Sequence, residues 1–201
     1  MLNIVNRFSL SKKSKKAIKK FKRKNGGAFD GDSWKNIGKR IKNDISKKIL
    51  FIQGPRCVYC ERLLLATGNQ IDHFAHKAQY YQFTFEPINL FYSCTFCNSS
   101  DRKGQKDTVN APVNIQYNLC DFNIAHPYLN NPENEIFYQD NDRIFFDKPS
   151  CSELGLATID FFKWDDELMT LFRANTLRNE RLNPFTTEQE KQLILQIIAY
   201  K

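Results

Sequence analysis

Long apolar runs are missing from this 201-residue sequence: the stretch Ile49–Ile52 is four residues, where a membrane-spanning helix needs about 20. A signal-peptide pattern is missing too, because Met1 to Leu10 is broken by Asn3, Asn6 and Arg7 and is followed by lysines. A cytoplasmic protein without membrane contact is therefore the expectation. Internal repeats and long linkers are also lacking. Acidic residues are scarce at one end: residues 1–60 hold 3 of the 22 acids but 17 of the 30 Lys and Arg, a balance of +14. Residues 61–201 carry 13 basic and 19 acidic side chains, a balance of −6. Such a polycationic end suits a polyanion such as nucleic acid, though a charge run by itself also fits a solvated tail. Histidine is scarce as well, with three in the chain.

What is present suits a globular protein of mixed α+β class: 41% hydrophobic residues and 13% aromatics, with 17 Phe. Ser11 to Lys24 offers a helix only Ala17, Ile18 and Phe21 to bury. Trp34, Ile37, Ile41, Ile45, Ile49 and Ile52 recur at steps of three and four, which predicts one continuous helix ended by Gly54-Pro55. Short strands are expected at Ile71–Phe74 and Leu90–Ser93, and a helix from the second cysteine pair onward. Residues 105–134 read as a long ordered loop. Glu135–Tyr138 and Arg143–Phe146 predict a β-hairpin. Asp165 is a candidate cap for a helix through Leu168, Leu171, Phe172 and Leu177. Thr187 with Glu190 forms a capping box for a last helix, apolar at Leu193, Ile194, Ile197 and Ile198. The chain divides into a basic N-terminal segment (1–32), a core with its preceding helix and following loop (33–134), and a C-terminal hairpin and helices (135–201).

Six cysteines in a cytoplasmic chain point to metal rather than to disulfides. Four form two pairs of identical spacing, Cys57-x-x-Cys60 and Cys94-x-x-Cys97, the ligand set of a closed tetrahedral zinc site. Such a metal would hold together a region too short and irregular to stand on apolar burial. Cys120 and Cys151 read as buried thiols. Between the pairs lies Ile71-Asp72-His73-Phe74, and the second pair runs into Asn98, Arg102 and Lys103-Gly104. A carboxylate beside an imidazole, with an amide and a lysine delivered later, has no use in a plain zinc ribbon. It suits phosphodiester hydrolysis, which needs a base for water and a cation for phosphate.

From Cys57-Val-Tyr-Cys60-Glu61 through Ile71-Asp72-His73-Phe74 to Asn89-Leu90 and Ser93-Cys94-Thr-Phe-Cys97-Asn98, with Lys103-Gly104, the sequence resembles the HNH (ββα-metal) endonuclease motif. The resemblance covers about 48 of the 201 residues, 57–104. It implies a ββα-metal core stapled by a structural Zn²⁺ on four cysteines. It implies His73 as general base, Asp72 and Asn98 as ligands of a catalytic Mg²⁺ or Mn²⁺, and Asn89 as the residue that fixes the loop and orients the base. Lys103, with Arg102, is implied as a phosphate contact, although Asn98 and Lys103 stand one or two residues further apart than the usual form. An ordinary histidine is a neutral base at cytoplasmic pH, and oxygen ligands favour Mg²⁺ or Mn²⁺ over a second zinc. Adjacent strand residues point to opposite faces, so Asp72 and His73 need local distortion, or a metal at the strand's end, to act together.

A wider likeness runs through Ala125-His126-Pro127-Tyr128-Leu129, Asn131-Pro132-Glu133 and Gly155 to Trp164. It is to the HNH proteins encoded beside ABC-type ATPases in Septu-like and retron-associated anti-phage systems, and it implies a partner ATPase and a defence role. The lysine-rich stretch (Lys12, Lys13, Lys15, Lys16, Lys19, Lys20, Lys22, Arg23 and Lys24) is expected to contact phosphates in a salt-dependent way. Two further readings stay open: a non-catalytic zinc-stabilised nucleic-acid-binding or adaptor protein, and an RNase on the same scaffold. His76 and His126 fit either a site or a packing role, and Phe83, Phe85, Phe91 and Tyr92 fit core packing better than base stacking.

Overall fold

The computed structural model describes residues 1–64, 69–182 and 187–199. Among those residues the sheet is one antiparallel pair, β1 (Asn69–His73) with β2 (Leu90–Cys94), in which Asp72 faces Phe91 and His73 faces Leu90. Two strands cannot stand alone, and this pair is covered on both sides.

On one side lie α1 (Lys12–Lys24) and α3 (Lys39–Gln53). The α3 stripe Ile41, Ile45 and Ile49 is buried with Phe8, Leu10, Ile18, Phe85 and Leu90, as spacing of four along a helix dictates. Helix α1 is capped by Ser11, whose Oγ accepts from the Ser14 amide at 3.1 Å. It lays Ala17, Ile18 and Phe21 on this cluster and leaves its lysines exposed. The helix expected to run unbroken from Trp34 is instead divided: a single turn, α2 (Ser33–Asn36), is separated from α3 by extended Ile37 and by Gly38. Glycine is costly in a helix interior by about 1 kcal/mol. The break there lets Ile37 enter the cluster while Trp34 turns toward the sheet.

On the other side is the larger core, built from Cys57–Tyr59, Phe74, Phe91, Tyr117, Phe122, Ile124, Ile159, Phe162 and Trp164. The first residues of the chain are stitched into it. Met1 is buried, the Leu2 amide donates to the Val58 carbonyl at 2.9 Å, and the Ile4 amide donates to Pro127 at 2.8 Å.

Three sequence expectations are corrected. Residues after the second cysteine pair form a run of turns rather than a helix: Asn98 N–H reaches the Cys94 carbonyl, but Lys103 N–H turns back to Cys97. Ser99, Ser100 and Asp101 are poor helix formers, and Arg102 and Lys103 are drawn inward. The hairpin at 135–146 is reduced to one bridge, Tyr138 with Phe146, because Glu135 already belongs to a helical turn, α4 (Pro132–Glu135). An unforeseen helix, α5 (Glu153–Phe162), follows it, capped by Ser152. Helix α6 (Glu167–Leu182) is capped by Asp166, whose Oδ1 accepts from the Met169 amide at 2.7 Å, while Asp165 pairs with Lys148. Helix α7 (Thr187–Ala199) lies beside α3; the side chains of Thr187, Glu190, Ile194 and Ile198 lie outside the described residues. Among the described residues no helix is long and apolar enough to cross a membrane.

Gly155 shows how tightly α5 meets α4. A Cβ there would stand 1.9 Å from the Glu135 carbonyl oxygen. Gly155→Ala must displace backbone and is expected to cost about 3 kcal/mol, read as a drop in urea midpoint. An unchanged midpoint would show that the two helices do not pack this closely.

Candidate metal centre and adjoining cleft

The four paired cysteines come together. Their sulfurs all lie within 4.8 Å of one another, and Cys60 Sγ and Cys94 Sγ are 3.8 Å apart. Zinc–sulfur bonds of about 2.3 Å on a tetrahedron separate the sulfurs by about 3.8 Å, so the cluster fits a metal ion. None is in a disulfide. Backbone amides support the sulfurs: Cys94 N–H donates to Cys57 Sγ and Cys97 N–H to Cys94 Sγ, both at 3.4 Å. Hydrogen bonds among the four sulfurs hold the Cys94 thiol well below its ordinary pKa and push the Cys60 and Cys97 thiols well above theirs, so negative charge is shared unevenly across the cluster. Cys120 is buried and Cys151 half-buried, both apart from this cluster.

The cluster is joined to β1 through its own tyrosine. Tyr59 donates its hydroxyl proton to Asp72 Oδ2 at 2.5 Å. Lys103 donates to the same carboxylate, at 3.2 Å from Oδ1 and 3.1 Å from Oδ2, and to the His73 carbonyl at 2.8 Å. Lys103 is 0% exposed, so the expected phosphate contact is corrected: its charge is spent on Asp72. Arg102 is corrected likewise. It is buried and binds the Phe162 and Lys163 carbonyls and Asp166, tying the second cysteine turn to α5 and α6.

Strand alternation sends Asp72 toward Tyr59 and His73 toward the opposite face, where the Trp34 ring meets the imidazole edge-on at 4.7 Å. Both residues nevertheless line one cleft of about 990 Å³, shared with Asn98, Gln70, His76 and Trp34. His73 Nε2 lies 3.1 Å from the Thr84 carbonyl oxygen. A carbonyl can only accept, so Nε2 carries the proton and Nδ1 keeps the lone pair. Burial, with the charge of Lys77 added, pushes the His73 pKa well below its ordinary value, so the ring is neutral at physiological pH. Asn98 gives its amide nitrogen to Gln70 Oε1 at 2.5 Å, which leaves its amide oxygen for another partner. Asp72 and Asn98 line the same cleft, and carboxylate and amide oxygens are ligand types that hard divalent cations take.

Asn89 lies outside the cleft lining but is fully buried behind it. Its Oδ1 accepts from the Ala75 amide at 2.7 Å and its Nδ2 donates to the Phe83 carbonyl at 3.0 Å. The α1 cations Lys12, Lys13, Lys15, Lys16, Lys19, Lys20, Lys22, Arg23 and Lys24 are all exposed. Among the described residues none of them pairs with an acid; Lys22 sits over the Phe29 ring at 5.3 Å. The cleft carries its own cations, Lys42, Lys77 and Lys106, which sequence reasoning did not single out. Periodicity assigns Lys42 to the outside of α3 without saying what that outside faces. Phe83, Phe85 and Phe91 are core residues.

His126 is also core, at 0% exposure. Burial pushes its pKa down to about 3, with Arg7 adding to the shift. Against an ordinary value near ~6.5, the fold requires the neutral ring. That stability is complete above the unfolded pKa and is lost as pH falls toward 3, at about 1.4 kcal/mol per unit, or about 2 kcal/mol by pH 5. Urea midpoints measured at pH 7 and 5 are expected to differ by less in His126→Gln than in the parent protein. Equal differences would remove His126 as the cause.

No protein-family model matches the chain, and no curated protein matches it either.

Proposed function

We propose that the protein is a metal-dependent HNH-type endonuclease that hydrolyses phosphodiester bonds of DNA. The observation that carries this reading is His73, its Nε2 bonded to the Thr84 carbonyl, in one cleft with Asp72 and Asn98 beside the four-cysteine cluster. His73 Nδ1 would take the proton from the attacking water. Asp72 and Asn98 would hold a Mg²⁺ or Mn²⁺, which supplies charge neutralisation at the phosphate when bound. Lys42, Lys77 and Lys106 would draw the polyanion into the cleft, and the cationic face of α1 would extend that attraction. Zinc is the metal that best suits the four thiolates. The wider likeness to the HNH subunits of Septu-like and retron systems supports an ABC-type ATPase as partner and a role in anti-phage defence.

A second reading, a nucleic-acid-binding or adaptor protein without catalysis, has one observation on its side: Asp72 is already satisfied by Tyr59 and Lys103. Incubation with supercoiled plasmid and with total RNA, in Mg²⁺ or Mn²⁺, separates the readings. Nicked or linear plasmid, lost on chelation, supports the nuclease, and fragmentation of RNA alone moves the substrate to RNA. A plasmid that shifts in a gel yet stays intact supports the binding protein.

A further inference from the structure

Behind the cleft runs a buried chain of hydrogen bonds that the chemistry above does not use. His126 Nδ1 accepts from the Tyr128 amide at 3.1 Å, so its proton is on Nε2. That nitrogen is 3.0 Å from the Tyr117 hydroxyl, which is 2.9 Å from Asn89 Oδ1. An amide oxygen cannot donate, so the polarity is settled throughout: His126 Nε2–H donates to Tyr117, and Tyr117 O–H donates to Asn89. Asn89 then completes its set, accepting from Ala75 N–H and donating to the carbonyls of Ala75, at 3.3 Å, and Phe83, at 3.0 Å.

Those two anchor points bracket His73. Ala75 is two residues beyond it, and Phe83 precedes Thr84, whose carbonyl holds the His73 Nε2–H. The orientation of the Asn89 amide thus sets where the Thr84 carbonyl stands relative to the imidazole. Tyr117 and His126 hold that amide: His126 and Asn89 are 0% exposed and Tyr117 is 4% exposed, which keeps bulk solvent away from the chain of bonds.

We propose that Tyr117 and His126 are positioning residues that, through Asn89, hold His73 in its Nε2–H tautomer and leave Nδ1 free to act as base. The assignment of a base rests on the nuclease reading; the tautomer does not, and the two are tested separately. With three histidines in the chain, nitrogen-15 NMR resolves each ring. In the parent protein His73 shows a protonated Nε2 and a bare Nδ1. In Tyr117→Phe the Asn89 oxygen loses a donor, and the His73 signals are expected to spread over both tautomers. Plasmid turnover is expected to fall about 10-fold with KM within about two-fold, the mark of a misplaced base.

Phe122→Leu is the control, because Phe122 touches the rings of Tyr117 and His126 without joining the hydrogen-bond chain. It is expected to keep the parent His73 signals despite its packing loss. His126→Gln, which retains a donor, should keep them too, while His126→Leu should behave as Tyr117→Phe. If Tyr117→Phe does not fold, this pair carries the test. Unchanged His73 signals in Tyr117→Phe, or identical signals in the Gln and Leu variants, overturn the proposal. Tautomer spreading in a protein that cleaves nothing upholds the positioning role and removes the nuclease reading.

Discussion

Replacing His73 by alanine is expected to lower plasmid cleavage by about 10²- to 10⁴-fold, the range a positioned general base contributes, with substrate binding retained. The expectation rests on the ring's surroundings. Thr84 holds one nitrogen, burial keeps the ring neutral, and the other nitrogen carries the basic lone pair of a residue lining the cleft. No lysine of α1 lines the cleft that His73 lines, so the salt-dependent affinity for DNA should be unchanged in a gel-shift titration. Truncation leaves a gap beside Trp34, and the variant's far-ultraviolet dichroism establishes that it is folded before rates are compared. Cleavage by His73→Ala at the parent rate would mean that another group activates the water.

The second large effect concerns the cysteines. One zinc per chain is expected in the purified protein, and Cys94→Ser, or exhaustive chelation, is expected to abolish the cooperative thermal transition. Cys94 is both a member of the cluster and the last residue of β2. Cys57 and Cys97 are buried in the main core, and Tyr59, within the first turn, holds Asp72. The free energy of a four-thiolate zinc site, of order 10–16 kcal/mol, matches or exceeds the whole net stability of a typical domain, about 5–15 kcal/mol. Loss of the metal should therefore cost the sheet and the cleft together. A metal-free protein that melts at the same temperature as the parent would show that apolar burial alone holds residues 57–104.

The two effects differ in kind. The His73 variant should lose activity and keep its fold, whereas the cysteine variant should lose both. An inactive but folded cysteine variant would place the metal in the chemistry rather than in the frame.

Some of this architecture was legible in the residues alone. Two pairs of cysteines at identical spacing announce a cluster able to hold a metal ion, because the chelate geometry is local and each turn delivers both thiols. The isoleucine stripe of α3 announces its buried face, because helical periodicity is local too. The cationic character of α1 is likewise a matter of composition. Other features depend on partners far away in the chain. Lys103 and Arg102 read as surface cations until Asp72, Asp166 and the carbonyls at the end of α5 are brought to them. Helix α5 went unforeseen, and the turns after Cys97 were expected to be helical, since both are decided by what they pack against. The break at Gly38, which turns Trp34 toward His73, follows from the burial of Ile37 rather than from any change in pattern. His126, ambiguous as a residue type, becomes a structural histidine only once Phe74, Tyr117, Phe122 and Tyr128 surround it. Spacing along the chain determined which groups could bind a metal; tertiary packing decided which charged groups remain available to a ligand, because a charge goes where its desolvation is best repaid.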